Sequence, residues 1–385
     1  MSASLSTVQE LLRRLVAFDT TSAKSNLKLI AFVRDTLASH GVNSMLTPSA
    51  DGEKASLFAT IGPKGDGGIG LSSHSDCVPV EGQSWASDPF ALTLRDGKLY
   101  GRSSCDMKGF LACVLASVPV LTARRLKEPI HIILSYDEEE GCTGVRPLIA
   151  RFGTDLPRPR AIVVGEPTGM AVIDAHKRID AYRTIVTGRE AHSSMPQLGV
   201  NAISIAAELI EALDRIGIEL SAEESNDRFD PPASTVQVGM IEGGTAPNIV
   251  PKTCRFQWQV RSLPAAAPGT VPDRLATFAS ETLLPMRAVA PSASIETSHE
   301  GSVPAFLAKP GSEAVGLALA LTGANATRAV SYATEAGLFE EAGCPTVICG
   351  PGDIEQAHAA DEFVTLAQLE ACMAFLAKLA ERASN

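Results

Sequence analysis

The sequence has no surplus of basic residues; its formal net charge is −11. Nucleic-acid binding needs clustered Lys and Arg that displace counterions from phosphate, so no nucleic-acid partner is expected. A run of 18 or more apolar residues is also missing, and no membrane-spanning helix is predicted. The first ten residues, Met1 to Glu10, are polar and lack the basic-then-apolar order of a secretory signal. Together these absences lead us to expect a cytoplasmic protein. The eight cysteines, at positions 77, 105, 113, 142, 254, 344, 349 and 372, include no CxxC pair. That spacing excludes a structural zinc finger, and a chain of 385 residues has no need of a disulfide framework. The cysteines read as reduced, buried thiols. Several catalytic signatures are absent too. There is no GxSxG elbow and no SxxK around a candidate nucleophile. The glycine-rich segment 62–70 lacks the GK[ST] ending of a phosphate loop and leads into a strand, so it reads as a turn.

What is present suits a soluble two-domain protein, because 385 residues exceed what one hydrophobic core usually organises. Leu5, Val8, Leu11, Leu12 and Leu15 recur at helical spacing, and Ser25 is placed to cap a second helix carrying Leu27, Ile30, Val33 and Leu37. Short apolar runs at 55–61, 68–72, 130–136 and 161–164 read as buried strands, with a helix over 108–121 between them. This alternation predicts an α/β sheet covered by helices on both faces. From Ile179 the order becomes strand 181–187, helix 201–216, strands 235–241 and 254–261, helix 271–284 and strand 294–297, the β-α-β-β-α-β order of a ferredoxin-like unit. After Val303 the α/β texture returns. The expected architecture is a discontinuous three-layer α/β/α domain over 1–178 and 304–385, with a ferredoxin-like domain inserted at 179–303.

Candidate chemistry gathers where strands end. His74, Ser75 and Asp76 follow the strand at 68–72, and period-two alternation puts His74 and Asp76 on one side, so that one can ligate while the other orients it. Alone, the pair more commonly reads as a surface His beside an Asp. Asp106 stands in a small-residue loop before a helix, where it also suits an N-cap. Asp137, Glu138, Glu139 and Glu140 follow the strand at 130–136; four such acids repel one another unless a cation or solvent relieves them. Glu166 closes a further strand, and His358 lies in a later loop. The grouping outweighs its members: we expect four consecutive strands to end in His74, Asp106, Glu139 and Glu166, at the end of an α/β sheet where ligands bind. Two His and three carboxylates suit a pair of zinc ions by donor type.

These segments resemble the di-zinc aminoacylase and carboxypeptidase superfamily of metallohydrolases. The resemblance is carried by 74–79, 100–109, 137–144, 164–168 and 243–251, and it runs in order along essentially the whole chain. Segments 18–22, 334–339 and 349–358 are most similar to the acetylornithine deacetylases within it. The resemblance implies that Asp106 bridges two zincs, cobalt being a possible substitute. It gives one zinc His74 and Glu166, and the other Glu139 and His358. It further implies Glu138 as general base, Asp76 as the residue orienting His74, and a cis peptide between Asp106 and Met107. His192 matches a histidine that reaches the partner subunit's site in a homodimer and binds the oxyanion there. Asn248 and Arg261 match positions that hold the substrate carboxylate, Thr334 lies among the substrate contacts, and Glu335 is placed to meet the ornithine amine by charge. The implied reaction is hydrolysis of N2-acetyl-L-ornithine in arginine biosynthesis. Alternatives within the superfamily are a succinyl-diaminopimelate desuccinylase or a dipeptidase; outside it, a non-catalytic binding relative. Ser103 and Ala333 stand where relatives usually carry Gly, and Glu140 adds an acid where a small or apolar residue is commoner.

Overall fold

Strands covered on both faces have no polar side to show, and four segments meet that description throughout. Ile69–His74, Ile130–Ser135, Ala161–Pro167 and Thr346–Gly350 are buried at every position. In the computed structural model, which describes residues 4–385, they form the parallel heart of a mixed sheet. Residues 1–3, the start of the polar N-terminal stretch, lie outside the described residues. The sheet runs Ser44–Pro48, Ala55–Ile61, Ile130–Ser135, Ile69–His74, Ala161–Pro167, Thr346–Gly350, then Ile173–His176 and Phe306–Leu307. Pairing is parallel across the four central strands and antiparallel from Ala55–Ile61 outward.

Helices Leu5–Val16, Lys108–Thr122, Glu313–Thr322 and Leu366–Arg382 share one continuous core with this sheet. Lys108–Thr122 is apolar on every side and buried almost throughout, as a helix with no solvent face must be. The second helix, Leu27–Ser39, corrects one expectation. Ser25 does accept from the Leu27 backbone N–H at 3.3 Å, but the residue at the N-cap is Asn26. Its buried amide is used elsewhere, bonding both ways to the Ala55 backbone and donating to Ser75 Oγ, and so ties the helix to the neighbouring strand.

The chain divides into two compact units. One comprises residues up to 175, 306–328 and 334–385; the other comprises 176–305 and 329–333. The second has its own four-stranded antiparallel sheet, in the order Thr235–Gly243, Thr253–Ser262, Arg178–Thr187, Ser294–Val303. Helices Ala202–Glu223 and Thr270–Val289 close over a core that includes Phe256, Trp258 and Val260. Residues 264–268 form a loop inside this unit.

Candidate metal centre and active site

The C-terminal ends of the four parallel strands converge, and each supplies a group. His74 is the last residue of its strand, Glu166 the sixth of seven in its own, Glu138 and Glu139 follow Ile130–Ser135, and His358 follows Thr346–Gly350. This corrects the expected set of four strand ends: Asp106 does not end a strand. It arrives on the loop ahead of helix Lys108–Thr122 and does not cap that helix, whose N-cap is Met107 with no side-chain bond. A cis peptide joins Asp106 to Met107.

Asp106 stands between two pairs. Its Oδ1 is 3.0 Å from His74 Nε2, which in turn lies 3.8 Å from Glu166 Oε1. Its Oδ2 is 3.4 Å from His358 Nε2, itself 3.0 Å from Glu139 Oε2. His74, Glu138 and Glu166 offer ligand atoms within 4.8 Å of one another, as do His74, Asp106 and Glu139. His74 Nδ1 donates to the Asp76 carbonyl at 3.1 Å and has Asp76 Oδ1 at 3.5 Å, which leaves Nε2 turned toward the acids.

Asp76 has a second task that alternation did not suggest. Its carboxylate accepts the backbone N–H groups of Glu138 and Glu139, both at 3.2 Å, and Ser22 Oγ at 2.8 Å. One buried carboxylate thus holds the histidine and the acidic turn together. Thr20 Oγ1 donates to the Ser75 carbonyl at 2.6 Å, so segment 18–22 serves as a lace along the His74 strand end.

The four acids at 137–140 meet different fates. Asp137 pairs with Lys54 at 2.5 Å, Glu138 and Glu139 face the centre, and Glu140 is exposed. Burial pushes Glu138 well above the usual carboxylate range, with Glu139 and Glu335 adding to it against His74. Glu166 is raised likewise by burial and by Asp106 and Glu138. Burial opposes ionisation of Asp106, but hydrogen bonds from His358 and His74 outweigh it and hold the carboxyl well below its usual value. Those bonds, to Asp106 first and Glu139 second, raise His358 to about 10. Glu166 Oε1 is buried and makes no hydrogen bond. Crowded acids forced toward protonation, two imidazoles and an orphaned carboxylate oxygen form a donor set that divalent cations would satisfy.

Thr334 and Glu335 are buried at the start of helix Ala336–Glu341. Thr334 Oγ1 accepts from the Ala336 N–H at 3.0 Å. Glu335 lies 3.4 Å from Ser72 Oγ, and burial pushes it up to about 7. His192, Asn248 and Arg261 belong to the second unit. There His192 is exposed, bridges the backbone of Ile249 and bonds Ser194 Oγ through Nδ1 at 2.8 Å. The Asn248 carbonyl accepts from Ser193 at 3.1 Å, so His192 and Asn248 lie on paired segments. Arg261 sits apart on strand Thr253–Ser262 and reaches the Ser331 carbonyl at 3.4 Å. All eight cysteines are buried and unpaired. Sequence reasoning assigned no role to Ser22, Lys54, Arg102 or Glu362, whose partners lie far away in sequence.

A paired donor set with a glutamate beside it, at the ligand-binding end of an α/β sheet, is what a metal-dependent hydrolase requires. Residues 70–382 match peptidase family M20/M25/M40, and the chain belongs to that family. It is 36% identical over 390 residues to an acetylornithine deacetylase of Myxococcus xanthus, covering 98% of each chain. An acetylornithine deacetylase of Proteus mirabilis is 35% identical over 389 residues, covering 99% of this chain and 98% of its own. The fold matches that of a tripeptidase from Staphylococcus aureus with a TM-score of 0.79 at 17% identity, over the whole of both chains.

Proposed function

We propose that the protein hydrolyses N2-acetyl-L-ornithine to L-ornithine and acetate, a step of arginine biosynthesis that places it in the cytoplasm. The observation that carries the substrate is the near-full-length similarity to two acetylornithine deacetylases. The split of Asp106, one oxygen toward each His–Glu pair, supports a two-cation centre. His74, Glu166 and Asp106 would hold one ion, and Glu139, His358 and Asp106 the other. The imidazole and carboxylate donors suit zinc, with cobalt as a substitute. Cations held there supply a polarised amide carbonyl and a water made acidic near neutral pH.

Glu138 does the proton work. It takes a proton from the attacking water as the water oxygen bonds to the acetyl carbon, and returns it to the departing amine nitrogen as the amide bond breaks. Asp76 keeps the Glu138 backbone and the His74 ring in register throughout. Glu335 meets the ornithine ammonium, with Thr334 beside it; Arg261 and Asn248 receive the substrate carboxylate. His192, on an exposed loop, supplies a donor for the developing oxyanion in the site of a second copy, which makes the working unit a homodimer.

A substrate panel with metal analysis tests this reading. Faster turnover of N2-acetyl-ornithine than of N-succinyl-diaminopimelate or dipeptides, with two metal equivalents bound, is expected. Preference for the succinyl substrate would overturn the assignment, and absence of metal and hydrolysis would point to a binding relative.

A further inference from the structure

Residues 101 and 362 are far apart in sequence, yet a small sheet brings them together. Strand Lys98–Tyr100 pairs with both Thr93–Arg95 and Phe363–Thr365, with Tyr100 opposite Phe363. Glu362 therefore stands beside the loop that delivers Asp106. Its buried carboxylate accepts four hydrogen bonds. Oε1 takes the backbone N–H groups of Cys105 at 2.9 Å and Asp106 at 3.1 Å. Oε2 takes the Ser103 N–H at 3.0 Å and Arg102 Nη1 at 2.8 Å. Only an acceptor-only group satisfies four donors at once.

Arg102 extends the arrangement to the other half of the centre. Its guanidinium is buried, lies over the Trp85 ring at 4.9 Å, and bonds Gln83 Oε1 through Nη2. Gln83 Nε2 in turn donates to the backbone carbonyl of His358 at 2.8 Å. Arg102 Nη1 also reaches the Ala359 carbonyl at 3.3 Å. One ion pair thus bonds to the segment that carries Asp106 and to the segment that carries His358.

We infer that Glu362 is a positioning residue for the metal centre, fixing Asp106 directly and His358 through Arg102 and Gln83. It touches neither substrate nor cation. The inference rests on the two-cation reading above. Groups that orient metal ligands typically govern affinity or activity by about 10- to 100-fold, and a bond set aimed at the ligand-bearing backbone belongs with them. A glutamine at 362 keeps the shape but turns an N–H donor toward a pair of donors and leaves Arg102 without its counter-charge.

The test is zinc titration of metal-stripped wild-type and Glu362→Gln protein against a competing chelator, with visible absorption of the cobalt-loaded forms. Wild type should take up two equivalents. In Glu362→Gln the equivalent held by Glu139, His358 and Asp106 should weaken by about 10- to 100-fold. The cobalt spectrum should change, and kcat should fall while KM stays near wild type. Glu362→Asp should recover part of the lost affinity. Wild-type zinc affinities and cobalt spectrum in Glu362→Gln, with only a lower melting temperature, would overturn the inference. Wild-type protein that fails to bind two equivalents would instead overturn the two-cation reading beneath it. If Glu362→Gln does not fold, Gln83→Ala decides, since it removes the link from Arg102 to His358 and leaves the four bonds to the Glu362 carboxylate in place: weakening of one equivalent supports the inference, and unchanged binding overturns it.

Discussion

At the residue scale, neighbouring acids are separated by what surrounds them. Burial raises both Glu138 and Glu139; Glu139 is paired with His358, whereas Glu138 accepts from Cys142 Sγ, and a raised carboxylate is the stronger base once ionised. Glu138→Ala should keep both metal equivalents while kcat falls by roughly 10²- to 10⁴-fold; unchanged turnover would remove Glu138 as the base. Glu335 gives a pH prediction. Its carboxyl sits at about 7 when folded, against an ordinary 4.5, so the folded state binds the extra proton between those values. The associated stability is fully present below pH 4.5 and lost as pH rises through 7. Glu335→Gln mimics the protonated form. Its melting temperature should match wild type in acid and exceed it above neutral pH, by up to an equivalent of about 3 kcal/mol. A pH-independent difference between the two proteins would refute the assignment. Ser103 has a left-handed φ of 67°. Its Oγ donates to the Asp106 carbonyl at 2.7 Å, which offsets the conformational cost. Ser103→Ala keeps that cost and loses the bond, so chemical denaturation should register a loss of about 1 kcal/mol, with Ser103→Gly nearer neutral.

At the element scale, strands Ile69–His74, Ile130–Ser135 and Ala161–Pro167 were legible because each opens as a short apolar run that gives way to charged or polar residues. The strands of the small sheet, Thr93–Arg95, Lys98–Tyr100 and Phe363–Thr365, are three residues each, too short to show a period. Hence Glu362 stayed hidden: its role depends on a pairing between segments more than 250 residues apart. Asp106 was legible as a candidate but misplaced at a strand end, since small residues before a helix say nothing about where a loop has come from. Close packing between elements makes a further demand. A Cβ on Gly165 would lie 2.1 Å from the ring of Phe110, which is itself fully buried in helix Lys108–Thr122. Gly165→Ala must therefore push strand Ala161–Pro167 and helix apart just before Glu166. A loss of about 1–3 kcal/mol is expected, together with weaker binding of the cation assigned to His74 and Glu166. Wild-type melting and metal affinity in that variant would mean that the strand can shift without moving its ligand.

At the scale of the whole molecule, the change of texture near residue 179 was readable because period-two strands with polar outer faces replace uniformly apolar ones. The return of 329–333 to the second unit was not, since five residues carry no pattern of their own. That unit exposes Met240 and Ile241 on its edge strand Thr235–Gly243, as well as Ile218 and Leu284 on its helices. Apolar side chains left in water on an unpaired edge favour association of two copies. If His192 completes the site of the opposite copy, two inactive proteins should repair each other. A Glu138→Ala chain retains His192, and a His192→Ala chain retains Glu138. In a mixed dimer, the site built on the His192→Ala chain would have both groups. Random re-association of equal amounts makes half the dimers mixed, each with one complete site, so activity should return to about a quarter of wild type. Mixing after dissociation and refolding, with turnover read against each parent alone, is the measurement. No recovery from dimers shown to have exchanged would mean that His192 serves its own chain, and the shared-site reading would fall.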